Sequence, residues 1–264
     1  MNILDKIVRH KKEEVESLKS KYKISDFADS EFYPGECINI LDTIKSTNSI
    51  SIISEIKKAS PSKGIIKEDF NHLKIAEEYL SYGVDAISIL TDKDFFQGNT
   101  SYLSDIKKIS NVPLLRKDFI IDEIQIHEAK AIGADFILLI CEVLDKYQIK
   151  DYSVTVNELG MRVLLELHSE KQLDQIDFDI NKLVGVNNRN LENFTVDLKT
   201  TEHVSKQIPD DILVVSESGI HKQNDINYLK TLNIDAILIG EHLMKSGNIN
   251  SSLQELKQWC KIES

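Results

Sequence analysis

The 264-residue sequence predicts an α/β fold: a (β/α)8, or TIM, barrel with an N-terminal helical extension. Three observations carry this expectation. Short β-branched runs recur eight times, and most are continuous apolar stretches rather than alternating ones, as strands covered on both faces are. Segments of helical periodicity lie between them. Eight such units in about 250 residues match the size of a closed barrel. An open doubly wound sheet competes, but no GxGxxG follows the first run, so its dinucleotide-binding form has no support.

The strand candidates are ISIISEIK (50–57), VDAISIL (84–90), VPLLRK (112–117), DFILLI (135–140), MRVLLEL (161–167), LVGVNN (183–188), DILVVSES (211–218) and DAILIG (235–240). Among the helical segments, IAEEYLSYG (75–83) and DEIQIHEAKAIG (122–133) each end on glycine, where a helix commonly stops. DINYLKTLNI (225–234) precedes the last strand. The phrases YGVDA, IGADF and LNIDA each put an aspartate just before an apolar run, a weak internal echo of one αβ unit. Residues 1–49 precede the first strand, and DKIVRHKKEEVESLKSKY within them reads as an amphipathic helix. We take residues 1–49 as an extension capping the barrel, with 1–264 a single domain.

A formal net charge of −11 argues against nucleic acid as a partner, so any cations serving an anionic small molecule must be local. Cys37, Cys141 and Cys260 are far apart with no CxxC spacing, which disfavours a disulfide scaffold or zinc site and fits a reducing compartment. No HExxH, DxDxDG or histidine cluster points to a metal. The N-terminus lacks the apolar core of a signal peptide and no run is long enough to span a bilayer, so the expectation is a cytoplasmic protein with no membrane partner.

In such a barrel the active site is built at the C-terminal ends of the strands. Those ends carry Glu55, Lys57 and Ser60; then Thr91, Asp92, Phe96 and Gly98; then Arg116, Lys117 and Asp118. Later strands end in Glu166 and His168, in Asn187, Asn188 and Arg189, in Glu217, Ser218 and Gly219, and in Gly240. A lone lysine or asparagine at a strand end is usually a solvated loop residue or turn chemistry. Two lysines and three glutamates on one rim are much less readily a coincidence. SESGI (216–220) and IGEHL (239–243) are small-residue turns whose backbone N–H groups can hold a phosphate, with Ser60 and Lys63 able to approach from the first strand. Glu55 and Lys57, two apart, share a strand face toward the barrel mouth, while Lys58 faces away.

EIKKASPSKG, SILTDKDFFQG, PLLRKDFIID, LLELH, VGVNNRNLENF, VSESGI and LIGEHLM occur in order over residues 50–245. Together they resemble the indole-3-glycerol phosphate synthase family. The resemblance implies ring-closing decarboxylation and dehydration of 1-(2-carboxyphenylamino)-1-deoxyribulose 5-phosphate, in tryptophan biosynthesis, with no cofactor or metal. It implies Lys117 as general acid at the ketone oxygen and Lys57 as partner of the substrate carboxylate, with the division of later steps between them open. It implies Glu166 as the group handling protons in dehydration, and Glu55 and Asn187 as orienters. Glu217 and Ser218 join the polar ring; Ser60, Gly219 and Gly240 fit the phosphate; Arg189 lies on the loop beside it. Phe96, Phe119, Leu138, Ile140 and Leu191 are candidates for walls around the anthranilate ring. Asn190 stands where the family usually has aspartate, and Glu241 where a serine is also common, so the Glu241 side chain is expected to turn away from phosphate.

Two alternatives are another phosphate-binding barrel, such as phosphoribosylanthranilate isomerase, and a non-catalytic barrel. The first is disfavoured because no cysteine ends the first strand; the second because Lys117 and Glu166 are present. A monomer or weak homo-oligomer is expected.

Overall fold

Eight parallel strands close into a barrel in chain order: β1 (Ser51–Ile56), β2 (Ala86–Leu90), β3 (Leu114–Lys117), β4 (Phe136–Ile140), β5 (Arg162–Leu167), β6 (Leu183–Asn187), β7 (Leu213–Glu217) and β8 (Ala236–Ile239). β8 pairs with β1 in the register Ser51 to Ala236, and β1 with β2 in the register Glu55 to Ser88. The computed structural model describes residues 3–191, 193–232 and 234–262; Glu192 of VGVNNRNLENF and Asn233 of DINYLKTLNI lie outside them. The eight predicted strands form, each one trimmed by a residue or more at its ends.

Alternation along each strand divides the barrel into an inside and an outside. Ile53, Leu115, Phe136, Leu138, Leu164, Leu183, Val215 and Leu238 form the interior cluster, all nearly inaccessible to water. Ile52, Ile87, Leu114, Ile137, Leu165, Val184, Val214 and Ile237 face the helices. This double burial is why the strands read as unbroken apolar runs. Truncating Phe136 to alanine costs about 3–5 kcal/mol, from lost transfer energy plus the cavity left behind.

Helices α3 (His72–Ser81), α4 (Thr100–Lys107), α5 (Glu123–Ala131), α6 (Lys146–Glu158), α7 (Lys199–Ser205) and α8 (Gln223–Lys230) fall between strands. α9 (Glu241–Lys245) and α10 (Ile249–Cys260) follow β8. α3 and α5 stop as expected: Gly83 and Gly133 have φ of 66° and 93°, a conformation that a side chain disfavours. Their starts are capped by Asn71 and Asp122, whose side-chain oxygens accept from the N–H groups of Lys74 and Ile124.

The aspartates of the repeated phrases share one job. Asp85 Oδ2 accepts from Ile52 N at 2.7 Å, Asp135 Oδ2 from Leu114 N at 2.9 Å, and Asp235 Oδ2 from Val214 N at 2.7 Å. Each carboxylate thus satisfies the N–H of an early residue in the preceding strand, or just inside it, at the barrel base. Asp135 also receives Lys107 Nζ at 2.7 Å and Ile38 N at 2.8 Å.

The segment before β1 reaches both ends of the barrel. α1 (Ile3–Lys21) brings Ile3, Leu4 and Ile7 to the C-terminal mouth. α2 (Ile40–Lys45) puts Ile40 and Ile44 into the interior cluster from the base, beside Asp135. Between them the chain runs along α5: Tyr33 Oη meets His127 Nδ1 at 2.6 Å, and Lys130 Nζ donates to Gly35 O at 2.6 Å. After β1, residues 59–60 and 64–65 pair antiparallel around a tip at Pro61–Lys63, a small hairpin absent from the expectations.

Candidate active site

On five strands (β1, β3, β5, β6 and β7) the inward face is apolar at the barrel centre and carries a polar side chain nearer the mouth. Two residues beyond Ile53 lies Glu55; beyond Leu115, Lys117; beyond Leu164, Glu166; beyond Val215, Glu217; and four beyond Leu183, Asn187. Period-two geometry therefore aims these side chains at one point above the core.

Lys117 Nζ donates to Glu217 Oε2 at 2.6 Å and lies 3.7 Å from Glu55 Oε2 and 3.9 Å from Glu166 Oε2. Lys57 Nζ donates to the other Glu55 oxygen. Glu55, Glu166 and Glu217 are each at most 4% exposed. Burial works to lower the pKa of Lys117, but Glu217, Glu55 and Glu166 together raise it, so the ammonium persists well above neutrality. Burial works to raise Glu55, yet Lys57 and Lys117 hold it below the usual carboxylate range. Glu217 is displaced upward: its burial and the Glu166 charge outweigh Lys117. Three buried carboxylates share two lysines: Glu55 meets both, Glu217 makes the close contact with Lys117, and Glu166 lies 3.9 Å from it.

Two glycines make room for this cluster. A Cβ on Gly240 would lie 2.4 Å from Glu55 Oε1, and one on Gly185, in the middle of β6, 2.3 Å from Glu217 Oε1. Gly240, read from the sequence only as a phosphate-site residue, thus also admits a carboxylate.

The residues given roles by the family resemblance line one pocket: Glu55, Lys57, Ser60, Phe96, Lys117, Phe119, Leu138, Ile140, Glu166, Asn187, Arg189, Leu191, Glu217, Ser218, Gly219 and Gly240; Lys63 and the strand-end residues Thr91, Asp92, Gly98, Arg116, His168 and Asn188 are not among its lining. The apolar wall includes Phe96 and Phe119, whose ring centroids are 6.1 Å apart. Asn187 Oδ1 accepts from Arg189 N at 3.0 Å along its own loop, and its neighbour Asn188 is a buried structural group tied to Ser216 Oγ, Glu217 O and Thr201. Glu241 does not turn fully away: it holds Lys245 at 2.6 Å, but its other oxygen sits 3.6 Å from Arg189 Nη2, and the residue lines the pocket. Asn190 Oδ1 accepts from Asn193 N at 3.2 Å and so shapes its own loop. His168 is buried at the end of β5, 3.5 Å from Glu166 Oε1, and burial lowers its pKa so that the imidazole is neutral near pH 7.

Sequence reasoning missed the α1 contribution of Ile3, Leu4 and Ile7, and also Phe194, His221 and His242. A signal for α1 existed: Ile7, Lys11 and Val15, at i, i+4 and i+8, form its buried face, with a lysine inside the apolar stripe.

The arrangement offers a charged acid, carboxylates of different proton affinity, an apolar wall and backbone N–H groups at small-residue turns, all in one mouth. A family model described as indole-3-glycerol phosphate synthase matches residues 4–256. The chain belongs to the indole-3-glycerol phosphate synthase family. It is 45% identical over 257 residues to the indole-3-glycerol phosphate synthase of Acetivibrio thermocellus, covering 97% of this chain and 99% of that one. It is 48% identical over 243 residues to that of Thermoanaerobacter pseudethanolicus, covering 92% of each. Among solved structures, KGPDC from Streptococcus mutans superposes with a TM-score of 0.63 at 12% identity, over 81% of this chain and 98% of that one; this likeness speaks to the barrel alone.

Proposed function

We propose that the chain catalyses the synthesis of indole-3-glycerol phosphate from 1-(2-carboxyphenylamino)-1-deoxyribulose 5-phosphate, releasing carbon dioxide and water. The observation that carries the role assignment is the Lys117 ammonium held among Glu55, Glu166 and Glu217 beside the Phe96–Phe119 wall.

The chemistry asks for a proton donor first. As the ring carbon bearing the carboxylate attacks the ketone carbon, charge develops on the ketone oxygen. Lys117, charged and held by the glutamates around it, delivers the proton there. Lys57 pairs with the substrate carboxylate until it leaves as carbon dioxide and the six-membered ring regains aromaticity. The apolar wall weakens solvation of that carboxylate and favours its loss. Dehydration then needs an acid at the departing hydroxyl, met by a rim lysine, and a base at the methylene carbon beside nitrogen, met by Glu166. Glu55 orients Lys57 through their direct bond, and Asn187 and Glu217 face the sugar hydroxyls. Ser60, Ser218, Gly219, Gly240 and Arg189 form the phosphate end, and Leu138 and Leu191 complete the ring pocket.

The transformation is redox-neutral and calls for no redox cofactor. We further propose one barrel domain with residues 1–49 as its extension, acting in the cytoplasm as a monomer or weak homo-oligomer. The test is to supply the carboxyphenylamino-deoxyribulose phosphate and follow indole fluorescence. Wild type should turn over and Lys117→Ala should lose about 10²–10⁴-fold in kcat. No signal from wild type sinks the activity; full activity in the variant sinks the role of Lys117.

A further inference from the structure

Behind Lys117, on the outward face of β3, lies a second charge cluster outside the proposed machinery. Lys11 of α1 is 2% exposed, and its Nζ lies 2.9 Å from Asp118 Oδ1, 3.0 Å from Asp92 Oδ2 and 2.6 Å from Glu14 Oε2. Asp118 directly follows Lys117. Its carboxylate also accepts from Phe119 N at 2.8 Å, Thr91 Oγ1 at 2.6 Å and Arg116 Nη2 at 3.3 Å. Asp92 opens the loop after β2: its Oδ1 accepts from Phe95 N at 2.9 Å and its backbone oxygen from Gly98 N at 2.7 Å. Phe96 lies between those two bonds. Lys11 therefore grips both aspartates that shape the chain on either side of the Phe96–Phe119 wall.

The same helix builds part of that pocket. Ile7, one turn before Lys11, lines it, as do Ile3 and Leu4. His10 reinforces the attachment to the β2 loop, with Nε2 2.6 Å from Asp94 Oδ2 and its ring 5.8 Å from that of Phe95.

We propose that Lys11 is a positioning residue of the active site: its ion pairs with Asp92 and Asp118 lock α1 over the aromatic pocket and set the placement of Phe96 and of the Lys117–Phe119 segment. Two carboxylates this deeply buried require a cation. Among the described residues Lys11 is the cation paired with Asp92, and without it Asp118 keeps only Arg116, which is already engaged by Glu128 at 2.7 Å. Asp92 would then move toward water and carry the Phe96 loop with it. Lys11 supports the site although no part of it touches the reacting atoms.

The proposal rests on the site reading above, and two measurements separate their failures. In steady-state assays with the carboxyphenylamino-deoxyribulose phosphate, Lys11→Met should lower kcat/KM by roughly ten- to hundredfold, as misplacement of a site by an ångström does, with KM carrying much of the loss. Lys11→Arg should recover part of it. Amide hydrogen exchange, which needs no substrate, should quicken in residues 92–98 and 117–119 of Lys11→Met relative to wild type. If Lys11→Met does not fold, the Lys11→Gln/Asp92→Asn pair, which leaves fewer uncompensated charges, takes its place in both measurements. A folded variant with a lower Tm but unchanged kcat, KM and exchange in those segments overturns the proposal. An inactive wild type sinks the functional reading, and the exchange data then decide the role of Lys11 alone.

Discussion

Lys117 Nζ and Glu217 Oε2 meet at 2.6 Å across the mouth of the barrel, joining β3 to β7. Glu217 is the largest charge raising the pKa of Lys117. Replacing it with glutamine removes that support while Glu55 and Glu166 remain. Glu217→Gln should therefore shift the alkaline limb of the kcat/KM profile to lower pH, because the ammonium gives up its proton earlier. A profile whose alkaline limb does not move would show that Lys117 is not the acid.

Gly240 has φ of −132°, outside the left-handed region that favours glycine, so alanine there tests chiefly space. Its Cβ would press on Glu55 Oε1 at 2.4 Å. Gly240→Ala should displace the Glu55–Lys57 pair and cut kcat/KM by roughly a hundredfold, the scale of an ångström's misplacement. The corresponding control is Gly160→Ala, where an added Cβ meets nothing within 4 Å but φ is 77°: it should cost stability and leave kinetic constants alone. Activity retained in Gly240→Ala would mean that Glu55 has a second working position.

Asp135 accepts from Lys107, Leu114 N and Ile38 N, and is fully buried apart from 1% of its surface. Asp135→Ala leaves a cation and two N–H groups without it, and should cost about 3–5 kcal/mol in denaturant unfolding. The site lies at the other end of the barrel, so kcat and KM of the folded fraction should stay near wild type.

Asp118 is pressed toward a higher pKa by burial but held far below the carboxylate range by Lys11 and Arg116. Its folded pKa lies under the unfolded value of about 3.9. The stability it contributes is therefore present above that value and is lost as pH falls from there toward the folded pKa. Melting curves from pH 5 down to pH 2 should show a shallower acid loss in Asp118→Asn than in wild type. Equal slopes would mean that the Lys11 cluster contributes nothing to acid sensitivity.

The barrel was legible because double burial leaves a plain trace. Strands such as FILLI, walled by helices outside and side chains inside, admit no polar residue until the rim. The rim was legible for the complementary reason: Glu55 or Glu166 at the end of such a run has no core to join, and period two fixes its direction. The aspartates before strands were visible as a repeat, but not their purpose, since Asp235 meets Val214 N, 21 residues away. Contacts of that span leave no local pattern. Gly185 and Gly240 were opaque in the same way, because the carboxylates they admit belong to other strands. Lys11 left a fainter trace: in a helix this rich in charge a lysine resembles its solvated neighbours, and only its spacing from Ile7 and Val15 places it on the buried face.

Residues 3–45 touch the barrel at both openings, with α1 over the mouth, α2 in the base, and residues 22–39 laid along α5 between them. The segment works as a clamp with two jaws on one handle. Cutting the handle would leave each jaw to dock on its own, at an entropic disadvantage that the intact connection removes. A lesion near Gly35, far from any reacting group, would thus be felt as a looser roof over the substrate.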